Sequence, residues 1–440
     1  MSTLQPARLL AAQAVWPVDR VKDHASKIGS GVTPTGGAAA YLDTGVPLLR
    51  SQNVHFDGLR LDDVAYIGED THDEMGGSKL RPRDVLLNIT GASIGRCAYV
   101  PEDFGEGNVN QHVCIIRPAA KLNHKFLTYC LSAPWGQDQV FAGFTGASRQ
   151  GLGQRDLGEI QVPLPPLPEQ QRIATYLDAS CAAIDAAVAA KRSQLDTLDA
   201  LRKSIIQRAV TFGIEANPKL RQVNSDWIRE VPSHWDVCRV KRVVARMDYG
   251  IGVSTGDEGR YPVLKMGNVQ DGEIQFAKLD FIDEVDDNLI LERGDLLYNR
   301  TNSPDQVGKA AIFRKSRADA ITFASYLVRL RVNHRVNAWY LNYVLNTSGF
   351  LAFARRLAVP SVQQSNLNST RYAQMFIPLP PIEEQKAILS FLNEKTAAVD
   401  TVVATIQTQI ETLTAYRKSL IHECVTGQRR VTEADVAAIA

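Results

Sequence analysis

The chain has 440 residues, too many for one hydrophobic core, and its 45% apolar and 22% charged content describes two to four folded domains rather than disordered chain. A net charge of +1 excludes bulk basicity as a source of nucleic-acid affinity, so any positive surface is a local patch or belongs to a partner. No run approaches the roughly 20 apolar residues of a membrane span, and the N-terminus lacks the basic-then-apolar pattern of a secretory signal, which leaves the cytoplasm as the expected location.

Residues 1–15 are Ala-rich and read as a short helix. From Trp16 the first block alternates apolar runs with Gly, Pro and Asp. VPLLRSQNV (46–54), DVLLNIT (84–90), RCAYVP (96–101) and VCIIRP (113–118) read as strands, and 123–144 as one helix around Phe126, Leu127, Cys130 and Leu131. Cys97, Cys114, Cys130, Cys181, Cys238 and Cys424 form no CxxC pair, which argues against zinc or disulfides, and His112 with Cys114 lacks the further ligands of a metal site.

The next stretch is written twice. Residues 163–211 begin PLPPLPEQQRIA, residues 378–426 begin PLPPIEEQKAIL, and the two align without a gap at a shift of 215, about half the positions being identical. Pro163, Pro165, Pro166 and Pro168 predict an extended entry. After it, Glu169 to about Val210 contains no Pro or Gly, and Gly213 stands where a C-cap belongs. About 42 residues at ~1.5 Å each give a rod of roughly 63 Å. Its apolar stripe runs through Ile173, Leu177, Ile184, Val188, Leu195, Leu198, Leu201 and Ile205. In the second copy Leu392, Val399, Ile406, Leu413 and Leu420 recur every seven residues, joined by Val402, Val403, Ile410 and Tyr416, the pattern of a coiled-coil seam. Each rod needs a partner helix, and antiparallel pairing with the other copy is the economical arrangement.

The blocks before the rods repeat as well. YPVLKMGNV (261–269) echoes VPLLRSQNV, GDLLYNRT (294–301) echoes RDVLLNIT, and SVQQSNLN (361–368) lies 215 residues after GASRQGLG (146–153). The middle of each block diverges. Regional charge differs too: residues 1–162 carry 15 Lys+Arg against 17 Asp+Glu, and residues 214–381 carry 22 against 18.

This order of block, rod, block, rod resembles the specificity subunit of type I restriction–modification systems over nearly the whole chain. The resemblance rests on Pro163–Gln170, on Pro378–Gln385, and on the junction Ala209–Val237 into the second block. It implies an α/β (α+β) architecture with a pseudo-twofold internal repeat. Residues 1–162 and 214–377 would be strand-rich target-recognition domains, 163–213 and 378–430 long antiparallel coiled-coil spacer helices, and 431–440 a short tail. Each recognition domain would read one half of a bipartite, asymmetric site on double-stranded DNA. The spacers, through Leu177, Ile184, Leu198, Ile205, Leu392, Val399, Ile406, Leu413 and Leu420, would fix the gap and dock two methyltransferase subunits. Those partners use S-adenosylmethionine, and restriction subunits use ATP and magnesium; this chain would need no cofactor and perform no chemistry.

Residues suited to DNA fall in two sets. Ser148, Arg149 and Gln150, beside Gly146, Gly151 and Gly153, match Ser361, Gln363, Gln364 and Asn366, whose amides and guanidinium suit base edges. Asn88 and Asn299 occupy equivalent places and read as structural, whereas Arg96, Arg300 and Lys309 suit phosphate. Glu169-Gln170 and Glu384-Gln385 fall in a first helical turn and read as caps. Arg202-Lys203 and Arg417-Lys418 read as a docking or solvated face. No Asn-Pro-Pro-Tyr or Asp-Pro-Pro-Tyr methyltransferase motif, GxxxxGK[ST] loop or nuclease acid set is present. A non-catalytic scaffold joining two protein-binding modules is the alternative.

Overall fold

The computed structural model describes residues 14–143, 151–361 and 363–439. The expected helix over 1–15 falls almost wholly outside them. The chain divides into two compact units, 1–191 with 407–440 and 192–406. Both divisions fall inside the long helices α1 (Leu167–Phe212, 46 residues) and α2 (Ile382–Thr426, 45 residues), so each unit holds a strand-rich domain and one end of each helix.

In the first unit a four-stranded antiparallel sheet runs in the order Ala25–Ser30, Val113–Pro118, Val85–Asn88, Cys97–Tyr99. Each of the four runs read as strands contains one, but 46–54 leaves its strand after Leu49 and turns at Ser51–Asn53. A smaller sheet pairs Val46–Leu49 antiparallel with Ala65–Ile67 and parallel with Asn108–Val109. The run 123–144 is two helices rather than one, His124–Ser132 and Pro134–Gly143. Pro134 has no N–H to continue the first helix and its ring would clash with the preceding turn. Asn123 caps the first, its side chain accepting from Phe126 N at 3.0 Å.

The second unit repeats this frame with a larger sheet of six strands: Val244–Tyr249, Leu327–Val332, Leu296–Asn299, Ala310–Ile312, Gly272–Ile274, Val269–Gln270. Its smaller sheet again has one antiparallel and one parallel pairing, Tyr261–Leu264 with Asp280–Ile282 and with Thr322–Phe323. In each unit a two-stranded ladder joins the start of the domain to its exit: Val18–Arg20 with Gln161–Pro163, and Asp236–Arg239 with Phe376–Leu379. The proline-rich entries thus begin in the last strand of each domain and lead into its long helix.

Pro168 corrects one expectation. It lies inside α1, at the second position, where a missing N–H has no intrahelical acceptor to lose. Gly213 follows the helix with φ 76°, as a left-handed cap does.

Within each unit the two helix ends run antiparallel. In the first, Ile173, Leu177, Cys181 and Ile184 share a core with Leu420, Ile421, Cys424 and Val425, and Arg417 pairs with Asp185 at 3.0 Å. In the second, Ala209, Val210 and Ile205 pack with Ile388 and Leu392, and Arg202 pairs with Asp400 at 2.7 Å. Arg202 and Arg417 therefore reach from helix to helix, Arg202 with its side chain still 43% exposed, while exposed Lys203 binds Asp199 on its own helix at 2.6 Å. Of the predicted seam, Leu177, Ile184, Leu392, Val399, Ile406 and Leu420 are buried, and Leu198, Ile205 and Leu413 are half-buried. Leu201, Val402 and Tyr416 are exposed at 47%, 46% and 48%, contrary to their place in the predicted stripe. A pair of helices buries only the narrow strip facing the partner, and these three side chains flank it.

By length and composition α1 is apolar enough to cross a membrane, which the sequence reading did not register. Its Asp178 nevertheless binds Lys125 at 2.6 Å and the Tyr129 hydroxyl at 2.8 Å, so the apolar turns around it dock the helix His124–Ser132. Burial pushes the Tyr129 hydroxyl pKa well above its ordinary value, so it stays protonated as the donor.

The repeated Gln of each PLPPxxEQ motif is a clamp, not a cap. Gln170 is fully buried; its Oε1 accepts from Asn123 N at 2.8 Å and its Nε2 donates to Lys121 O at 3.0 Å and Pro165 O at 2.8 Å. Gln385 does the same, accepting from Asn337 N at 2.7 Å and donating to Arg335 O at 3.1 Å and Pro380 O at 2.9 Å. Each amide locks the loop before a domain helix to the first turn of a long helix, and leaving such groups unpaired costs about 1–3 kcal/mol each. Both glutamates do lie in first turns, yet Glu384 accepts from the Trp235 indole N–H at 2.9 Å and Glu169 lies 3.4 Å from Arg172.

The six cysteines are free thiols, five buried and Cys238 half-buried. Burial pushes Cys97, Cys114 and Cys424 up to about 12 and Cys181 to about 11, and it raises Cys238 as well. Iodoacetamide applied to the native protein is therefore expected to label Cys238 ahead of the other five, as peptide mass spectrometry would show. Faster labelling of Cys97 would mean that the four-stranded sheet opens readily.

Candidate nucleic-acid interface

In the second unit Ser361, Gln363, Gln364 and Asn366 come together in one small sheet and its turn with Arg300 beside it, while Lys309 lies outside that sheet. Thr301–Asn302 pairs with Gln364–Asn366, which turns back on Val359–Ser361 as a hairpin. Leu367 N donates to Arg300 O at 2.8 Å, and Asn366 Nδ2 donates to Thr301 Oγ1 at 2.9 Å, so the hairpin is bolted to the segment carrying Arg300. Asn366 is thus occupied as a support. Ser361 and Gln363 are exposed and Gln364 is half-buried. Pro360 sits in the outer strand, where an absent N–H blunts further pairing.

Arg300 lies beside this hairpin with its guanidinium 5.0 Å from the Tyr249 ring, a cation–π contact, and its backbone N donates to Tyr326 O at 3.0 Å. Tyr249 and Tyr326 are 45% and 47% exposed. Tyr326 also borders an open groove of about 810 Å³ whose walls include Val253, Thr255, Lys265, Gln270 and Lys278. Lys265 and Thr255 both hydrogen-bond Asp280 and hold its carboxyl below the usual carboxylate range. Lys309 stands 3.7 Å from Asp271, itself 93% exposed, which is too loose a pair to occupy the ammonium.

The first unit has the same scaffold. Asn88 N donates to Arg96 O at 2.8 Å and Gly95 N to Asn88 O at 2.8 Å, just as Asn299 N donates to Lys309 O and Gly308 N to Asn299 O, each at 2.8 Å. Arg96 and Lys309 are therefore equivalent in fold as well as in sequence; Arg96 is half-buried and has no ion pair among the described residues. Ser148, Arg149 and Gln150 lie outside the described residues. Beyond them, Leu152 N donates to Ile89 O at 2.9 Å, matching the Leu367 anchor on Arg300. Gly151, at φ 80°, lies so close that an added Cβ would sit 2.5 Å from Thr90 Cγ2.

The expected equivalence of the two asparagines is only partial. Both are fully buried, and Asn88 Nδ2 donates to Ser51 O at 2.7 Å, tying down the 51–53 turn. Neither side-chain polar atom of Asn299 finds a partner among the described residues. The loop-tying role common to both units falls to a second pair of asparagines. Asn53 accepts from Arg50 N and donates to Arg60 O, each at 2.9 Å, and Asn268 accepts from Lys265 N and donates to Gln275 O, each at 2.7 Å. Their signal was available as the matching SQN and MGN of the 215-residue repeat. Among the described residues no group of three His, Cys, Asp or Glu side chains is placed to hold a metal.

Comparison with known proteins accords with this geometry. A family model for the type I restriction modification DNA specificity domain matches residues 77–195 and 236–412. The StySPI specificity subunit of Salmonella potsdam is 21% identical over 88% of this chain and 83% of its own length, and the EcoKI specificity subunit of Escherichia coli is 20% identical over the same shares. The MjaX relative from Methanocaldococcus jannaschii is 28% identical over 45% of this chain, a match spanning about half its own length (47%). A chain solved in work on type I R-M complex assembly and conformational transition superposes with TM-score 0.70 at 16% identity, covering 94% of this chain and 98% of that one. The HsdS subunit from Thermoanaerobacter tengcongensis superposes with TM-score 0.53 at 17% identity, covering 94% and 97%. Two domains built on one repeated frame, two long helices and two matches to the family model lead to one assignment: the chain belongs to the type I restriction modification DNA specificity family.

Proposed function

We propose that this chain is the DNA-reading subunit of a type I restriction–modification complex in the cytoplasm. Each domain reads one half of a bipartite, asymmetric site on double-stranded DNA, and the long helices set the gap and dock two methyltransferase subunits. S-adenosylmethionine, ATP and magnesium belong to those subunits and to restriction subunits, and this chain contributes recognition without catalysis. One observation carries the reading: in the second unit a supported hairpin presents Ser361, Gln363 and Gln364 beside Arg300, on a frame that the first unit repeats while the sequences of the corresponding segments differ. Shared internal hydrogen bonds keep the domain shape, and divergent sequences between them give different half-sites.

The test is a mobility shift with the full chain and its methyltransferase partner. Binding is expected to favour a gapped asymmetric sequence and to weaken as salt rises. Arg300→Ala is expected to reduce the slope of log affinity against log salt by about 0.9, the share of one phosphate contact. A complex without any sequence preference would instead favour a scaffold joining two protein-binding modules.

A further inference from the structure

We propose that Gln363 reads an adenine through the major groove in the half-site of the second domain; the inference rests on the DNA-reading function above and adds the residue and the base. Gln363 stands at the hairpin tip with φ 59°, in the left-handed region that disfavours any residue bearing a Cβ. Glycine would relieve that strain, yet the chain carries a long amide there. Strain kept at an exposed tip points to a use for the side chain itself.

The strands that carry Gln363 are tied down below it. Ser361 pairs with Gln364, Pro360 with Ser365 and Val359 with Asn366, and Asn366 is fastened to Thr301. A two-stranded ribbon of this kind fits the major groove, and a rigid one loses little freedom on entering it. Gln364 is half-buried within the ribbon and Asn366 is occupied, so among the described tip residues Gln363 is the exposed amide. An amide offers one donor and one acceptor side by side, the pattern that adenine N6 and N7 complement. Arg300, beside the base of the hairpin, is placed for the flanking phosphate.

The test compares the wild-type chain with Gln363→Gly and Gln363→Ala, each expressed in full length with its methyltransferase partner. Methylated motifs are mapped across the genome, and thermal unfolding is measured for each chain. The wild type is expected to give a gapped motif with an A·T pair in the second half-site. Gln363→Gly is expected to melt at the same temperature or higher and to keep the first half-site and the gap. It should lose preference at that one base pair by roughly 5- to 150-fold, the range of one bidentate contact. An unchanged motif in Gln363→Gly overturns the proposal while leaving the DNA-reading function intact, as does loss of preference across the whole second half-site. A markedly lower melting temperature for Gln363→Gly assigns the residue to folding and also overturns it. A wild-type complex with no sequence motif removes the DNA-reading function itself, and this inference with it.

Discussion

Replacing Asp295 with alanine is expected to destabilise the second unit by about 3–5 kcal/mol, the cost of stranding a buried charge. Asp295 is 2% exposed and accepts from Arg331 Nε and Nη2, each at 2.8 Å. It also accepts from Glu292 N at 2.9 Å and lies 3.8 Å from Arg329. Arg329 is fully buried and leans on Asp248 at 2.5 Å, whereas Arg331 is 30% exposed and also lies 3.4 Å from Glu292, so after the substitution it is Arg329 that loses interior negative charge it cannot replace from water. For a unit of this size the melting temperature should fall by roughly 6–20 °C, measurable by thermal unfolding.

The equivalent substitution in the first unit supplies the comparison. Asp84 is also fully buried, accepting from Arg117 Nε and Nη2 at 2.7 Å each and from Arg81 N at 2.8 Å. It serves one guanidinium, whose side chain is 18% exposed and can turn towards water. Asp84→Ala is therefore expected to cost less than Asp295→Ala. Equal losses in the two variants would show that buried Arg329 contributes nothing to the difference.

The second large effect concerns the spacing of the DNA half-sites. Seven residues inserted after Lys191 in α1, matched by seven after Ile406 in α2, are expected to leave both half-site sequences unchanged and to widen the gap by about 3 base pairs. Seven residues restore the apolar strip to its original face, and each helix lengthens by about 10.5 Å, close to the rise of three base pairs at ~3.4 Å. The insertions fall between the Asp185–Arg417 pair of the first unit and the Arg202–Asp400 pair of the second, so neither ion pair is broken. Methylation mapping reads both half-sites and the gap together. An unchanged gap would mean that the helices do not measure the distance. Insertion into one helix alone slips its pairing and should abolish methylation instead.

Much of this molecule was legible before any fold was known, and the reason is locality. Strands at 46–49, 85–88, 97–99 and 113–118 were visible because β-branched runs between turn residues carry their own periodicity. The long helices were visible because a seven-residue spacing of apolar side chains can be counted along the chain. The break at Pro134 was legible too, since a proline in mid-helix has a known local consequence, but the apolar spacing on either side masked it.

The candidate interface was only partly legible. The hairpin residues Ser361, Gln363 and Gln364 were marked by their place in the repeat, whereas the supporting role of Asn366 emerged only with its bond to Thr301. Tyr249 and Tyr326 carried no sequence signal, because an exposed tyrosine acquires meaning from neighbours 51 and 26 residues away at Arg300.

The sequence by itself determined the plan: a duplicated frame at a shift of 215 residues, two long helices, and family membership through the repeated PLPPxxEQ motif. Only the tertiary structure decided what each polar side chain does. Gln170 clamps a loop 47 residues away, Glu384 holds the indole of Trp235 across 149 residues, and Arg417 reaches Asp185 across 232. A hydrophobic period is a property of neighbouring positions, so the chain displays it directly. A buried hydrogen bond needs a partner delivered by the fold, and until that partner arrives a glutamine that clamps and a glutamine left exposed are the same letter.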